Sequence, residues 1–350
     1  MNTLHFDVVL YFCRYLQDRD NINLSMTCLN FEKILEHVVL HTRRLLVPHI
    51  LDLPYFDRFC DIVVVDTHER IPKSVTRLEF GACVNDVLTT DYIPKTVTRL
   101  TFGASYNKPV QNCIPTSVTH LTFGQSFNQP IHNSIPTSVT HLTFGKYFNQ
   151  PISGHIPKSV THITFGQCFS YFTQNCLPES VISVSLSGFF SPTMKLGLPK
   201  LITHLTFDEK FNYPVWECVP NSVTHLTFGH HFDQPIHDSI PSSVTHLTFG
   251  YRFDKPIEGH VPKSVTHLTV GDHFNHMIHN IPKSITHLTL GRYFSRPIDH
   301  VPESVVSLIF GPCYHKSINN VPDSVKYIYL HSTYDHEIAP HILPRVIYYC

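Results

Sequence analysis

The stretch that decides the fold is IPTSVTHLTFGQSFNQPIHN, residues 114–133. Within it, the run HLTF alternates polar with apolar side chains, and this period of two predicts a short β-strand with one buried face. Gly124 predicts the end of the strand, and Asn128 and Pro130 predict turns. The side chains expected to point inward are Ile114, Val118, Leu121, Phe123, Phe127 and Ile131.

The same pattern recurs along most of the chain. A proline returns every 20 to 22 residues from Pro72 to Pro344, and a fixed period of this length is typical of stacked single-turn coils. One coil cannot bury its apolar residues alone, whereas stacked coils bury them against the coils before and after. We therefore predict a leucine-rich-like repeat solenoid with a long parallel β-sheet, in which turns or short 3₁₀ segments form the return side.

Composition narrows the classes of function. The 350 residues carry a formal net charge of −1, which argues against nucleic acid or an anionic membrane as a partner. The ten cysteines form no Cys-x-x-Cys pair, so reduced thiols are a better interpretation than a zinc ribbon or a disulfide framework. With no signal-peptide pattern and no apolar stretch long enough to span a membrane, we expect an intracellular protein. We expect it in the cytoplasm or the nucleus, and in the host cell if the source is viral.

A second recurring motif follows each strand. It is FNQPI at residues 127–131 and 148–152 and FNYPV at residues 211–215, with the variants FDQPI and FDKPI in later coils. This motif resembles the FNIP repeat, a leucine-rich-like family, over about residues 71–350. The resemblance implies a solenoid of about 14 coils, preceded by a connecting or capping segment at residues 41–70.

Two places depart from the repeat. Residues 177–197 lack the HLTF run and the Phe-Asn pair, so we expect a bulge or a kink in the sheet there. Residues 61–66, DIVVVD, predict an extra strand that leads into the sheet and caps it.

Residues 1–40 have a different pattern. Their apolar residues recur at helical spacing, with a polar break at residues 17–20, which predicts a small α-helical segment. The order of residues, ending in LSMTCLNF at 24–31, resembles an F-box, although His5 stands where that family has proline. The resemblance implies docking to a Skp-type adaptor through an apolar face made of Leu4, Val8, Val9, Phe12, Leu16 and Leu24.

A column of histidines is the main candidate site. One histidine stands at the same strand position in eight coils, and stacking of the coils would place neighbouring rings roughly 5 Å apart. A threonine column runs beside it, two residues further along each strand. The predicted partner face consists of His120, Thr122, His141, Thr143, His162, Thr164, His204, His225, His246, His267 and His287, and the threonine column continues at Thr206, Thr227, Thr248 and Thr269.

Three interpretations of this column stay open. It is a structural ladder, a face that contacts a partner, or a metal-binding stripe, and a straight column does not converge on one ion as a metal site requires. Protonation of many close rings would lower stability near pH 5. We interpret the asparagines after Phe127 and its equivalents, and the serines after each proline, as groups that satisfy turns. We expect no catalytic residue, no cofactor and no metal site.

Two functions fit these patterns. The first is the substrate-recognition subunit of a cullin-type ubiquitin ligase, in which the F-box docks the adaptor and the FNIP repeats bind an unknown target protein. The second is a non-catalytic interaction scaffold in which the helical segment only caps the solenoid. The missing proline at His5 favours the second function.

Overall fold

The computed structural model describes residues 45–53, 56–173, 175–188 and 198–350. These residues fall into two compact units, Met1–Val160 and Thr161–Cys350. Each unit is a parallel β-solenoid, and together they contain about 14 turns, as the period of the sequence predicts. The predicted F-box segment, residues 1–40, lies outside the described residues.

The first unit contains six short strands that follow one another in chain order. Each pairs in parallel with the next, and two 3₁₀ turns, Val47–His49 and Phe56–Arg58, lie between the first two strands. The leading strand predicted at residues 61–66 is shorter than expected, and a further strand pairs with its outer edge. The strands are β1 (Leu45–Leu46), β2 (Asp61–Val64), β3 (Arg77–Phe80), β4 (Arg99–Thr101), β5 (His120–Thr122) and β6 (His141–Thr143).

The second unit continues the same pattern with ten parallel strands in chain order. A 3₁₀ turn, Leu343–Arg345, precedes its last strand. The strands are β7 (His162–Phe165), β8 (Ser183–Leu186), β9 (His204–Phe207), β10 (His225–Thr227), β11 (His246–Thr248), β12 (His267–Thr269), β13 (His287–Thr289), β14 (Ser307–Ile309), β15 (Tyr327–His331) and β16 (Val346–Tyr349).

Three tight turns close each coil. In the coil that contains β5, the N–H of Val118 donates to the carbonyl of Pro115 at 3.1 Å, just before the strand. After the strand, Phe127 donates to the carbonyl of Gly124 at 3.3 Å, and Ser134 donates to that of Ile131 at 3.1 Å. These turns leave no room for a long helix, so the return side consists of turns, as predicted.

The apolar positions of the repeat form the core. Val118, Phe127 and the four other predicted inward residues of that coil are all buried, each at most 8% exposed. The ring of Phe123 stacks on Phe127 of its own coil at 4.0 Å and on Phe144 of the next coil at 5.5 Å. Since each coil buries an apolar side chain at this position, phenylalanine in most coils, the hydrophobic core is continuous along each unit.

Polar side chains also join neighbouring coils. Asn128 Oδ1 accepts the backbone N–H of Asn149 at 2.8 Å, and Ser138 Oγ donates to the carbonyl of Val118 at 2.7 Å. The asparagines and serines therefore satisfy backbone groups, as predicted, but those groups belong to the adjacent coil.

The strand at Ser183–Leu186 corrects one expectation. It pairs without offset with β7 on one side and β9 on the other, so the bulge or kink predicted for this coil is absent from its strand. Val184 and Leu186 are fully buried and fill the inward positions that leucine and phenylalanine hold elsewhere. The loop at residues 189–197 lies outside the described residues.

Candidate interaction surface

The outer face of the strands carries the predicted histidine and threonine columns. In β5, Leu121 is buried while His120 and Thr122 on either side are half-buried, because successive side chains of a strand point to opposite faces. Parallel pairing without offset places His120 beside His141 and Thr122 beside Thr143. The same register runs from β9 to β13, where Thr289 extends the predicted threonine column.

The imidazole rings stack face to face. In the first unit, the ring centroids of His120 and His141 lie 4.3 Å apart, with an angle of 10° between the planes. In the second unit, five rings from His204 to His287 form an unbroken stack, with neighbouring centroids 4.1 to 4.3 Å apart. The spacing is slightly smaller than the 5 Å expected from the pitch of the coils.

The column is interrupted where the sequence departs from histidine. His162 pairs with Ser183, which in turn pairs with His204, so no ring stands between these two histidines. At the far end of the stack, His287 pairs with Ser307. Thr164 lies beside Ser185 in the same way.

The threonine that precedes each histidine was not part of the predicted surface. Thr119 Oγ1 lies 2.9 Å from His120 Nδ1 and 3.2 Å from the carbonyl oxygen of Thr98 in the previous coil. The same pair of contacts recurs in later coils, for example at Thr224 and Thr245. The recurring Thr-His dipeptide was the available signal for this contact.

This arrangement selects one form of the ring. A threonine hydroxyl has one proton, so both contacts are satisfied together only if Thr119 donates to the carbonyl of Thr98 and accepts from His120 Nδ1–H. The Nε2 atom of a neutral ring is then the acceptor. The threonines therefore fix both the orientation and the tautomer of the histidine column.

Burial and neighbouring rings shift the basicity of the column. Desolvation lowers the pKa of His225 below the ordinary histidine value, and the adjacent His204 and His246 lower it further. Desolvation also lowers the pKa of His267, with further contributions from His246 and His287. His225 and His267 consequently resist protonation.

Within residues 45–53, 56–173, 175–188 and 198–350, no three His, Cys, Asp or Glu side chains are grouped to hold a metal ion. No helix in the same part of the chain could cross a membrane. No disulfide joins the cysteines in this part of the chain. The predicted adaptor-binding residues Leu4, Val8, Val9, Phe12, Leu16 and Leu24 lie outside the described part of the chain.

Comparison with known proteins places the repeat in a family. The FNIP Repeat model matches nine segments, from residues 67–105 to residues 274–313. Among solved structures, CroV588, described as a novel circular LRR protein, is similar, with a TM-score of 0.66 and 36% sequence identity. The match covers 81% of this chain and 45% of CroV588, so the chain spans less than half of that protein's length. No curated protein matches the chain. With FNIP repeats over most of its length, the chain belongs to the FNIP repeat family.

Proposed function

We propose that this protein is the substrate-recognition subunit of a cullin-type ubiquitin ligase. In this role, residues 1–40 dock a Skp-type adaptor, and the strand face of the FNIP repeats holds a target protein. The protein itself does no chemistry, because it only brings the target close to a ubiquitin-loaded enzyme. The coarser role of a protein-interaction scaffold is the one that the FNIP repeats and the leucine-rich-like solenoid suggest.

The observation that carries the binding role is the preorganised strand face. The five rings from His204 to His287 are stacked, and each ring with its preceding threonine is oriented by hydrogen bonds. Side chains that are already ordered lose little conformational entropy when a partner binds. A polar, half-buried and rigid surface of this kind fits a folded protein partner.

The contacts of the serines support a non-catalytic role. Ser117, Ser138 and Ser243 each donate the hydroxyl proton to a carbonyl of the previous coil at 2.7 Å. A serine nucleophile needs an adjacent general base that accepts this proton. These hydroxyls instead form hydrogen bonds that join neighbouring coils.

Adaptor binding tests the ligase role directly. The full chain and the variant Val9→Asp/Leu16→Asp are immobilised and exposed to a purified Skp-type adaptor. We expect the wild type to retain the adaptor and the double variant to lose it, because a buried carboxylate costs several kcal/mol at an apolar interface. His225→Ala is the matched control and should bind like the wild type. No binding by the wild type, or equal binding by the double variant, contradicts the ligase role.

Target binding requires a separate test. Once a target is identified by crosslinking, Thr206→Arg and Thr248→Arg place a bulky charge on the strand face. We expect each to weaken target binding at least tenfold, whereas Ser242→Arg, at an exposed turn position, should leave it unchanged. Equal effects of the three substitutions would show that the strand face is not the binding surface.

A scaffold without a ligase role is the second candidate. Its support is that the family match begins at residue 67 and does not include residues 1–40. A variant that lacks residues 1–40 separates the two candidates. A scaffold whose helical segment is only a cap should lose solenoid stability in this variant, while a ligase receptor should lose adaptor binding and keep target binding.

A further inference from the structure

Two pairs of histidines outside the strand face bring their ring nitrogens together. In the first unit, Nδ1 of His132 lies 3.4 Å from Nδ1 of His155. In the second unit, Nδ1 of His237 lies 3.2 Å from Nδ1 of His260. Each pair joins two neighbouring coils at the return-side turn that follows the recurring inward isoleucine of the repeat.

The backbone of this turn is the same in both units. His132 precedes Asn133 and His237 precedes Asp238, and both Asn133 and Asp238 adopt a φ of 50°. In the next coil, a glycine with positive φ precedes the second histidine of each pair, whose N–H closes the turn at 2.9 Å for His155 and 3.1 Å for His260. One local geometry therefore places two imidazoles together twice, in two separate parts of the sequence.

The distance between the nitrogens matches that of two ligands of one metal ion. It is at or beyond the long end of the hydrogen-bond range, which is 2.7–3.2 Å for N–H···O bonds. Two nitrogens that bind one tetrahedral Zn²⁺ at about 2.0–2.1 Å lie about 3.3 Å apart. Two cis nitrogens in a square-planar Cu²⁺ site would lie closer, at about 2.8 Å. The observed 3.4 Å and 3.2 Å bracket the tetrahedral value.

The ring orientations agree with this geometry to different degrees. The planes of the two rings are nearly perpendicular in both pairs, at 86° and 87°. The ring centroids of His132 and His155 lie 4.9 Å apart, close to the separation of about 5 Å that two Nδ1 ligands of one zinc ion require. The centroids of His237 and His260 lie 3.9 Å apart, so this pair must open by about 1 Å. The exposed His237 can rotate to do so.

A neighbouring side chain can stabilise the tautomer of His132 in which Nδ1 is free to bind a metal ion. The side-chain amide of Asn133 lies 3.1 Å from Nε2 of His132. With its amide oxygen turned to the ring, Asn133 accepts Nε2–H and leaves Nδ1 free to bind the ion, as partners of metal-ligating histidines commonly do. At the second pair, Asp238 stands at the position equivalent to Asn133.

We propose that His132 with His155, and His237 with His260, are two Zn²⁺ sites. Each site supplies two imidazole ligands, and water or a donor from a bound partner fills the remaining positions of the tetrahedron. This differs from the strand column, where face-to-face stacking keeps the nitrogens from converging. It also departs from the expectation of no metal site.

A third pair in the equivalent position serves as an internal control. The centroids of His279 and His300 are 6.2 Å apart, and Nε2 of His279 is held by Glu258 at 2.6 Å. This pair is not set to share an ion.

Zinc titration of the full chain tests the proposal. Calorimetry at pH 7.5 with ZnSO₄ should give two equivalents for the wild type, with proton release if the rings exchange a proton for the ion. His155→Ala and His260→Ala should each remove one equivalent, and the variant with both changes should bind none in the micromolar range. His300→Ala should still bind two equivalents. His155→Asn and His260→Asn repeat the test with polar side chains if the alanine variants fold poorly.

The outcomes that overturn the proposal are distinct. A wild type that binds no Zn²⁺ at about 100 µM leaves only hydrogen-bonded imidazole pairs at these turns. Unchanged stoichiometry in the doubly substituted variant, combined with its loss in His225→Ala/His246→Ala, would assign the ion to the strand column. Thermal unfolding gives a second readout, because 1 mM Zn²⁺ should raise the Tm of the wild type and not that of the doubly substituted variant.

Discussion

The histidine column depends on a contact made by a different residue. Thr119 and its equivalents use the hydroxyl proton on a carbonyl of the previous coil and the oxygen on the next residue's imidazole. A serine, with a freely rotating hydroxyl, would fix the ring less well than the β-branched threonine, whose side chain has few rotamers. The orientation of each stacked ring is therefore fixed by the threonine that precedes it in the same coil.

The lowered pKa values of two histidines in the column predict a pH-dependent stability. The pKa values of His225 and His267 are lowered on folding, so the unfolded chain binds more protons than the folded chain below about pH 6.5. Their contribution is fully present above this pH and is lost as the pH falls through the folded-state pKa values. We expect the Tm to fall between pH 7.5 and pH 5, as measured by circular dichroism.

The double variant His225→Gln/His267→Gln is the control for this effect. Glutamine keeps a polar side chain on the strand face and does not titrate, so the decrease in Tm should be smaller than in the wild type. The comparison is needed because His68, which is fully exposed, has its pKa raised by Asp66 and acts in the opposite direction. An equal decrease in both proteins would mean that the column does not cause the acid sensitivity.

The asparagine ladder gives a second prediction at the scale of one residue. Asn128 Oδ1 accepts the N–H of Asn149 at 2.8 Å and an amide proton of Gln150 at 3.1 Å. Asn128→Ala removes this acceptor and should cost about 1–2 kcal/mol in the free energy of unfolding. Asn128→Asp keeps the acceptor, as Asp233 does for the N–H of Asp254, and should change stability by less than about 0.5 kcal/mol. Urea denaturation measures both, and equal losses would contradict the ladder.

At the scale of the strand, the sequence predicted positions better than contacts. The HLTF run gave the strand and its buried face because a period of two can be read from residue types alone. The tautomer of His120 could not be read in this way, since it depends on a carbonyl in the previous coil, 22 residues away. The pair of His132 and His155 was missed for the same reason, because the turn geometry of two coils brings the rings together.

The coil at Ser183–Leu186 shows the opposite failure. Its residue types departed from the repeat, and a bulge was expected. Stacked coils dictate the position of a strand from both sides, so serine, valine and leucine adopt the register of their neighbours. Tertiary context thus overrides local sequence more strongly in a solenoid than in an isolated strand.

The glycine that follows most strands allows the backbones of neighbouring coils to approach closely. A Cβ atom on Gly124 would lie 1.8 Å from the carbonyl oxygen of Gly103 in the previous coil. The Cβ is fixed to the backbone of one coil and the carbonyl belongs to the backbone of the other, so neither can move aside without shifting a coil. Gly124→Ala should therefore cost about 3 kcal/mol or more in the free energy of unfolding. Gly154→Ala is the matched control, since it meets no atom within 4 Å and only its φ of 76° is strained. That variant should lose about 1 kcal/mol. Similar losses from thermal unfolding would contradict close backbone packing.

At the scale of the whole molecule, each repeat adds its own contribution to stability and to the length of the strand face. Most described coils make the same kinds of turn and ladder with their neighbours, so stability is approximately a sum of coil terms and interface terms. In such a molecule, length can change without changing the fold, provided that a whole period is added or removed. The strand face then becomes longer or shorter by one coil, and the column of stacked histidines gains or loses one ring.

Deletion of one period tests this additivity. Removing residues 225–245 joins Thr224 directly to His246, so β9 would pair with His246–Thr248 in the register that β10 now uses. We expect a folded, cooperatively unfolding protein with one ring fewer in the column and a modestly lower Tm. Removing residues 225–234 instead leaves half a coil, which shifts the inward positions of the repeat out of register and should abolish cooperative unfolding. If both deletions behave alike in thermal melts and limited proteolysis, the coils are not independent units, and the strand face cannot be regarded as a modular surface.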